Sequence, residues 1–160
     1  MILRKGALAA LLVLAACRAE PAPETTNGSG ESRLEIVPLV VASDGKRNQF
    51  RAEVARTDEE QARGLMYRDQ LAPDAAMIFP FVPPRPASFW MKDTLIPLDM
   101  LFVRPDGTIA FIKVNAVPQL TEPIGVEEPL AGVVEVAGGR SAELGIEEGD
   151  KVSWPGGPAI

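Results

Sequence analysis

Histidine is absent from this chain, and cysteine occurs once, at position 17. Those gaps exclude a Ser-His-Asp triad, a Cys-His nucleophile pair, histidine general-base chemistry and zinc sites of the usual ligand types. A single cysteine closes no internal disulfide, so the fold must rest on its apolar core. Positive charge is also scarce: 16 Lys and Arg stand against 22 Asp and Glu, a net charge of −6 with no basic cluster. Nucleic acid is bound by neutralising phosphates, so it is not an expected partner. Electrostatic adhesion to anionic lipid is excluded on the same ground. There is no internal repeat and no Gly-rich phosphate loop, since Gly138-Gly139 and Gly156-Gly157 are isolated pairs near turns. No dense Asp/Asn loop suits calcium. No cofactor and no metal is expected. Carboxylate, lysine, arginine, hydroxyl and aromatic chemistry remain.

The first seventeen residues, MILRKGALAALLVLAAC, have the order of a secretory signal: Arg4 and Lys5, an apolar run from Ala7 to Leu14, then small residues before Cys17. The run is shorter than the roughly 20 residues that cross a bilayer as a helix. Leu14-Ala15-Ala16-Cys17 resembles the lipobox of bacterial lipoproteins, which implies cleavage after residue 16 and lipidation at Cys17. Acyl chains contribute about 0.8 kcal/mol per buried methylene, so the lipid alone suffices as the membrane contact. The expected location is the bacterial cell envelope, facing the periplasm. Arg18 in place of aspartate after the cysteine favours the outer membrane over the inner.

Residues 17–33 after the anchor are rich in Pro, Gly, Ser, Thr and Glu and read as a disordered tether. The globular domain is expected over 34–154, with 155–160 a tail. Leu34 to Val40 and Phe50 to Ala55 read as strands around the turn at 43–48. Thr57-Asp58-Glu59-Glu60 has the form of a capping box, opening a helix to about Met66 with Gly64 inside it. Ala76 to Phe81 reads as a short buried strand. Pro83, Pro84 and Pro86 predict a rigid loop around Arg85. Strands are expected over Ser88 to Thr94 and Leu98 to Val103, the latter joined to Ile109–Val114 through the turn Arg104-Pro105-Asp106-Gly107. A strand over Val133–Val136, a short helix over Gly139–Leu144 and a last strand over Lys151–Trp154 complete the chain. Met77, Ile78, Phe79, Phe81, Leu98, Met100, Phe102, Val114 and Val134 are assigned to the core. Strands outweigh helix and no βαβ alternation is apparent, which predicts a mainly β, antiparallel domain, a sandwich or partly closed barrel with two short helices.

The richest stretch is Phe89-Trp90-Met91-Lys92-Asp93-Thr94 followed by Pro97-Leu98-Asp99. Together with Arg63-Gly64-Leu65-Met66-Tyr67-Arg68 and Met77-Ile78-Phe79, it resembles the DUF192 (UPF0127) family across about Leu34 to Val152. The resemblance implies a compact β-rich fold and no particular activity. This chain has Asp93 where the family usually has asparagine. A carboxylate only accepts hydrogen bonds, so Asp93 is expected to pair with Lys92 or an arginine.

Three readings of these residues differ in chemistry. In the first, Arg68 or Lys92 pairs with Asp99 and pins the helix to the sheet. In the second, Phe89 and Trp90 floor a shallow groove where Arg68, Lys92, Asp93 and Asp99 orient a small polar ligand, and a partly exposed Trp90 is the expected sign. In the third, Asp93 and Asp99 form an acid-base pair of a hydrolase acting on envelope material. The expectation is an envelope protein that binds a small polar ligand or an envelope protein, leaning away from catalysis.

Overall fold

The computed structural model describes residues 34–159; the expected signal, Cys17 and tether lie outside the described residues. Seven strands form one sheet in the order β5-β4-β6-β3-β2-β1-β7. They are β1 (Ile36–Ser43), β2 (Lys46–Val54), β3 (Ala75–Phe89), β4 (Leu98–Val103), β5 (Ile109–Ala116), β6 (Ile124–Ala137) and β7 (Lys151–Ser153). Helices α1 (Asp58–Arg63) and α2 (Arg140–Leu144) are each under two turns. The sheet curls until its edges approach: Thr108 bridges Lys151, and Val152 N–H donates to Gly107 C=O at 2.8 Å. The result is a mainly β, partly closed barrel.

Strand alternation explains the core. Val37, Leu39 and Val41 of β1, Phe50, Ala52 and Val54 of β2, Ile78 of β3, Leu101 and Val103 of β4 and Val134 and Val136 of β6 share the inner cluster. The opposite face of β3, β4 and β6 carries Met77, Phe79, Met100, Phe102 and Val133, a second cluster covered by Leu65 and Met91 from the connections. All six residues of β4 are therefore buried.

Several expectations need correction. β2 and β3 run parallel, so β2–α1–β3 is a βαβ unit inside an otherwise antiparallel sheet. The capping box at Thr57 forms as expected: Glu60 N–H donates to Thr57 Oγ1 and Thr57 N–H to Glu60 Oε2. The helix ends at Arg63 rather than Met66, because Gly64 takes φ +46°. A methyl group at Gly64 would also lie 3.2 Å from Phe79 Cζ.

The triproline segment is strand, not loop. β3 passes through Pro83, Pro84 and Pro86, with register shifts against β6 between Pro80 and Arg85 and again before Ala87. Bulges absorb residues that cannot donate to a ladder. The expected strand over Ser88–Thr94 stops at Phe89, and Asp93 takes φ +54° in the turn that follows. Val114, assigned to the core, is 45% exposed, while Ala116 beyond it is fully buried. The register shift between Leu98 and Met100 in the β4–β5 pair accompanies that reversal.

Candidate functional site

Three connections meet over the outer face of the sheet. Tyr67 N–H donates to Asp93 C=O at 2.9 Å, joining the segment after α1 to the turn after β3. Met91 N–H donates to Leu120 C=O at 2.8 Å, and Gln119 N–H to Thr94 C=O at 3.2 Å, which ties in the β5–β6 connection. Between them lies a cavity of about 390 Å³, within the range of small-molecule sites. Gly64, Leu65 and Met66 form one wall, Arg85 and Ala87 to Trp90 another, and Thr121 and Pro123 a third.

The deep part is aromatic and carries one acid. Phe79 and Phe81 are 2% and 4% exposed, and Phe89 meets Phe79 edge to face at 5.0 Å between centroids. Glu135, 4% exposed, lines the cavity. Its neighbours in register are Met77 on β3 and Met100 on β4. It has no hydrogen-bond partner among the described residues. Burial pushes the Glu135 carboxyl up to about 8, against a weaker opposing pull from Arg68. At neutral pH it is therefore mainly a neutral acid, able to donate a proton or a hydrogen bond.

The mouth carries Arg63, Arg85 and Trp90. Trp90 is 52% exposed, and the Arg85 guanidinium lies 4.1 Å from the Phe81 ring centroid.

The residues singled out from the sequence divide. Phe89 and Trp90 line the cavity; Arg68, Lys92, Asp93 and Asp99 do not. Lys92 stands beside the site, its Nζ 5.6 Å from the Trp90 ring centroid. Arg68 pairs with Glu53, at 2.9 Å and 2.5 Å through its two terminal nitrogens, rather than with Asp99. Asp93 accepts from the Tyr67 hydroxyl at 3.1 Å rather than from Lys92 or an arginine, and this contact raises the Tyr67 pKa.

Asp99 is fully buried and binds backbone. Its Oδ1 accepts from Asn115 N–H at 2.8 Å and Gly139 N–H at 2.9 Å, and its Oδ2 from Ser141 N–H at 2.8 Å. With both oxygens so engaged, Asp99 anchors the start of α2 and presents no free oxygen to a substrate.

The cavity-lining charges that sequence analysis does not single out are Glu135, Arg63 and Arg85. A single carboxylate inside the apolar run Val133-Val134-Glu135-Val136 was the available signal. Among the described residues, no group of three or more His, Cys, Asp or Glu is placed to hold a metal.

The DUF192 family (uncharacterized ACR) matches residues 39–154. The chain belongs to this family. A solved structure of a protein of unknown function from Novosphingobium aromaticivorans is 44% identical, with TM-score 0.76, covering 86% of this chain and 94% of that one. Another, from Sinorhizobium meliloti and described as a candidate transcription regulator, is 39% identical with TM-score 0.76, covering 79% of this chain and 99% of that one. No curated protein is significantly similar to the chain.

Proposed function

We propose that this DUF192 protein is a small-ligand-binding module of the bacterial envelope, held at the outer membrane by lipid on Cys17. The observation that carries the binding reading is the cavity itself. Aromatic walls, a half-exposed Trp90 and an unpartnered buried acid converge where a plain packing face would be filled. A hydrolase using Asp93 and Asp99 gains no support, because neither lines the cavity and Asp99 is committed to backbone. The acidic balance of the chain favours a small molecule over nucleic acid. The anchor rests on Arg4, Lys5, the short apolar run and the small residues before Cys17.

Trp90 supplies the assay, since the other tryptophan, Trp154, is only 6% exposed. Envelope-derived sugars, amino acids and peptides are titrated while acrylamide quenching of fluorescence is followed. A ligand is expected to shield Trp90 and to bind at least about tenfold more weakly to Trp90→Ala, with melting nearly unchanged. Binding that ignores Trp90→Ala, or a library that never shields Trp90, contradicts the site. For the anchor, Cys17→Ser is expected to abolish acyl labelling and release the protein from membranes; retention of both contradicts it.

A further inference from the structure

The polar groups around the cavity are not equally available. Both donor positions of the Gln61 amide are engaged, by Ala55 C=O and Pro80 C=O at 3.2 Å each. The Thr94 hydroxyl donates to Lys92 C=O at 3.3 Å. The Ser88 and Thr121 hydroxyls also line the cavity, so neutral polar contacts add to the charged ones. The charged groups are of both signs: Glu135 in the depth, and at the mouth Arg63 and Arg85, the latter also over the Phe81 ring and donating to Pro86 C=O at 3.4 Å. Phe79, Phe81, Phe89 and Trp90 line the same cavity.

Each sign constrains the ligand. A simple amine would leave the two guanidinium groups at the mouth facing a cation. A simple carboxylate would satisfy the arginines and leave Glu135 without a partner. A molecule with a positive and a negative end satisfies both, and the aromatic walls ask for apolar bulk between or beside them.

We propose that the cavity binds a small zwitterion, an α-amino acid with an apolar side chain, its ammonium against Glu135 and its carboxylate at Arg85 and Arg63. This deepens the ligand-binding reading and rests on it. The proton balance follows directly. The ligand keeps its ammonium protons, the Glu135 carboxyl ionises on contact, and its proton leaves to solvent. Met77 and Met100 flank Glu135 on the neighbouring strands; beyond Met77 the same row carries Glu53, paired with Arg68, and beyond Met100 it carries Lys113. Arg68, with its partner Glu53 on β2, is the further charge that acts on it.

The test uses six probes: L-leucine and L-phenylalanine, each with its analogue lacking the amine (4-methylpentanoate, 3-phenylpropionate) and its analogue lacking the carboxylate (isoamylamine, phenethylamine). Trp90 fluorescence reads binding, and calorimetry in two buffers of different ionisation enthalpy reads protons. The amino acids are expected to bind at least about tenfold more tightly than either analogue. Roughly nine-tenths of a proton should be released per ligand at pH 7 from a carboxyl of pKa about 8. Glu135→Gln, isosteric with the neutral acid, should fold normally, release no proton and cease to prefer the amine. The inference is overturned if the amine-free analogues bind as tightly as the amino acids, or if binding releases no proton. It is equally overturned if none of the six shields Trp90 while a compound of another class does, which would leave the cavity standing as a binding site.

Discussion

Glu135 stands opposite Met77 on β3 and opposite Met100 on β4, and both methionines are fully buried. A carboxyl between two thioether side chains is largely stripped of water, and among the described residues no side chain hydrogen-bonds it in return. A folded protein tolerates such a group mainly by keeping it protonated.

That placement fixes a pH dependence. The native carboxyl titrates near 8 and the unfolded one near 4.5, so between those values the native state holds a proton that the unfolded state has released. Stability from this group is therefore fully present below about pH 4.5 and falls as pH rises to about 8. Glu135→Gln lacks the titration. It is expected to match the wild type near pH 4 and to exceed it by a few kcal/mol, on the order of two to five, at pH 8. Urea midpoints measured across pH 4–9 check this; parallel curves for the two proteins would refute it.

Asp99 is expected to matter for folding rather than for binding. Asp99→Ala strands the N–H groups of Asn115, Gly139 and Ser141, each of which now donates to the carboxylate. At about 1 kcal/mol or more per orphaned donor, the loss should reach roughly 3 kcal/mol or more. Asp99→Asn keeps one acceptor oxygen and should fall between. Denaturant unfolding measures the loss, and a shift below about 1 kcal/mol for Asp99→Ala would contradict the anchoring role.

Arg68 offers a third prediction, linking the ion pair to the cavity. Its side chain is 24% exposed and that of Glu53 is 21% exposed. Removing the bidentate contact with Arg68→Ala should cost about 1–3 kcal/mol. It also removes the positive charge that lowers the Glu135 pKa, so Glu135 should titrate at higher pH in the variant. A titration midpoint that stays in place would show that the two groups do not communicate.

Local chemistry made some elements readable. The β4–β5 hairpin follows from an apolar run, the turn at 104–107 and a second run, and the capping box marks α1 by itself. Elements set by distant partners were hidden. The second half of β3 is a strand because β6 pairs with it through bulges that proline tolerates, which residues 80–89 alone do not announce. The parallel β2–β3 pair was obscured by a helix of only six residues. The site was half legible for the same reason. Phe89 and Trp90 lie together in an unusual aromatic and charged stretch. Arg63, Arg85 and Glu135 come from three separated segments that meet only after the sheet curls. Asp99 drew notice as a charge, but its partners are backbone groups whose positions no side-chain pattern encodes.

The protonation of Glu135 is the physical basis for the pH dependence and for the proton released on ligand binding, and carbon-13 NMR of the glutamate Cδ resonances, assigned with Glu135→Gln, measures it directly. A midpoint near 8 in the ligand-free protein is the expected result. A midpoint near 4.5, the value of a solvated glutamate, would contradict the account.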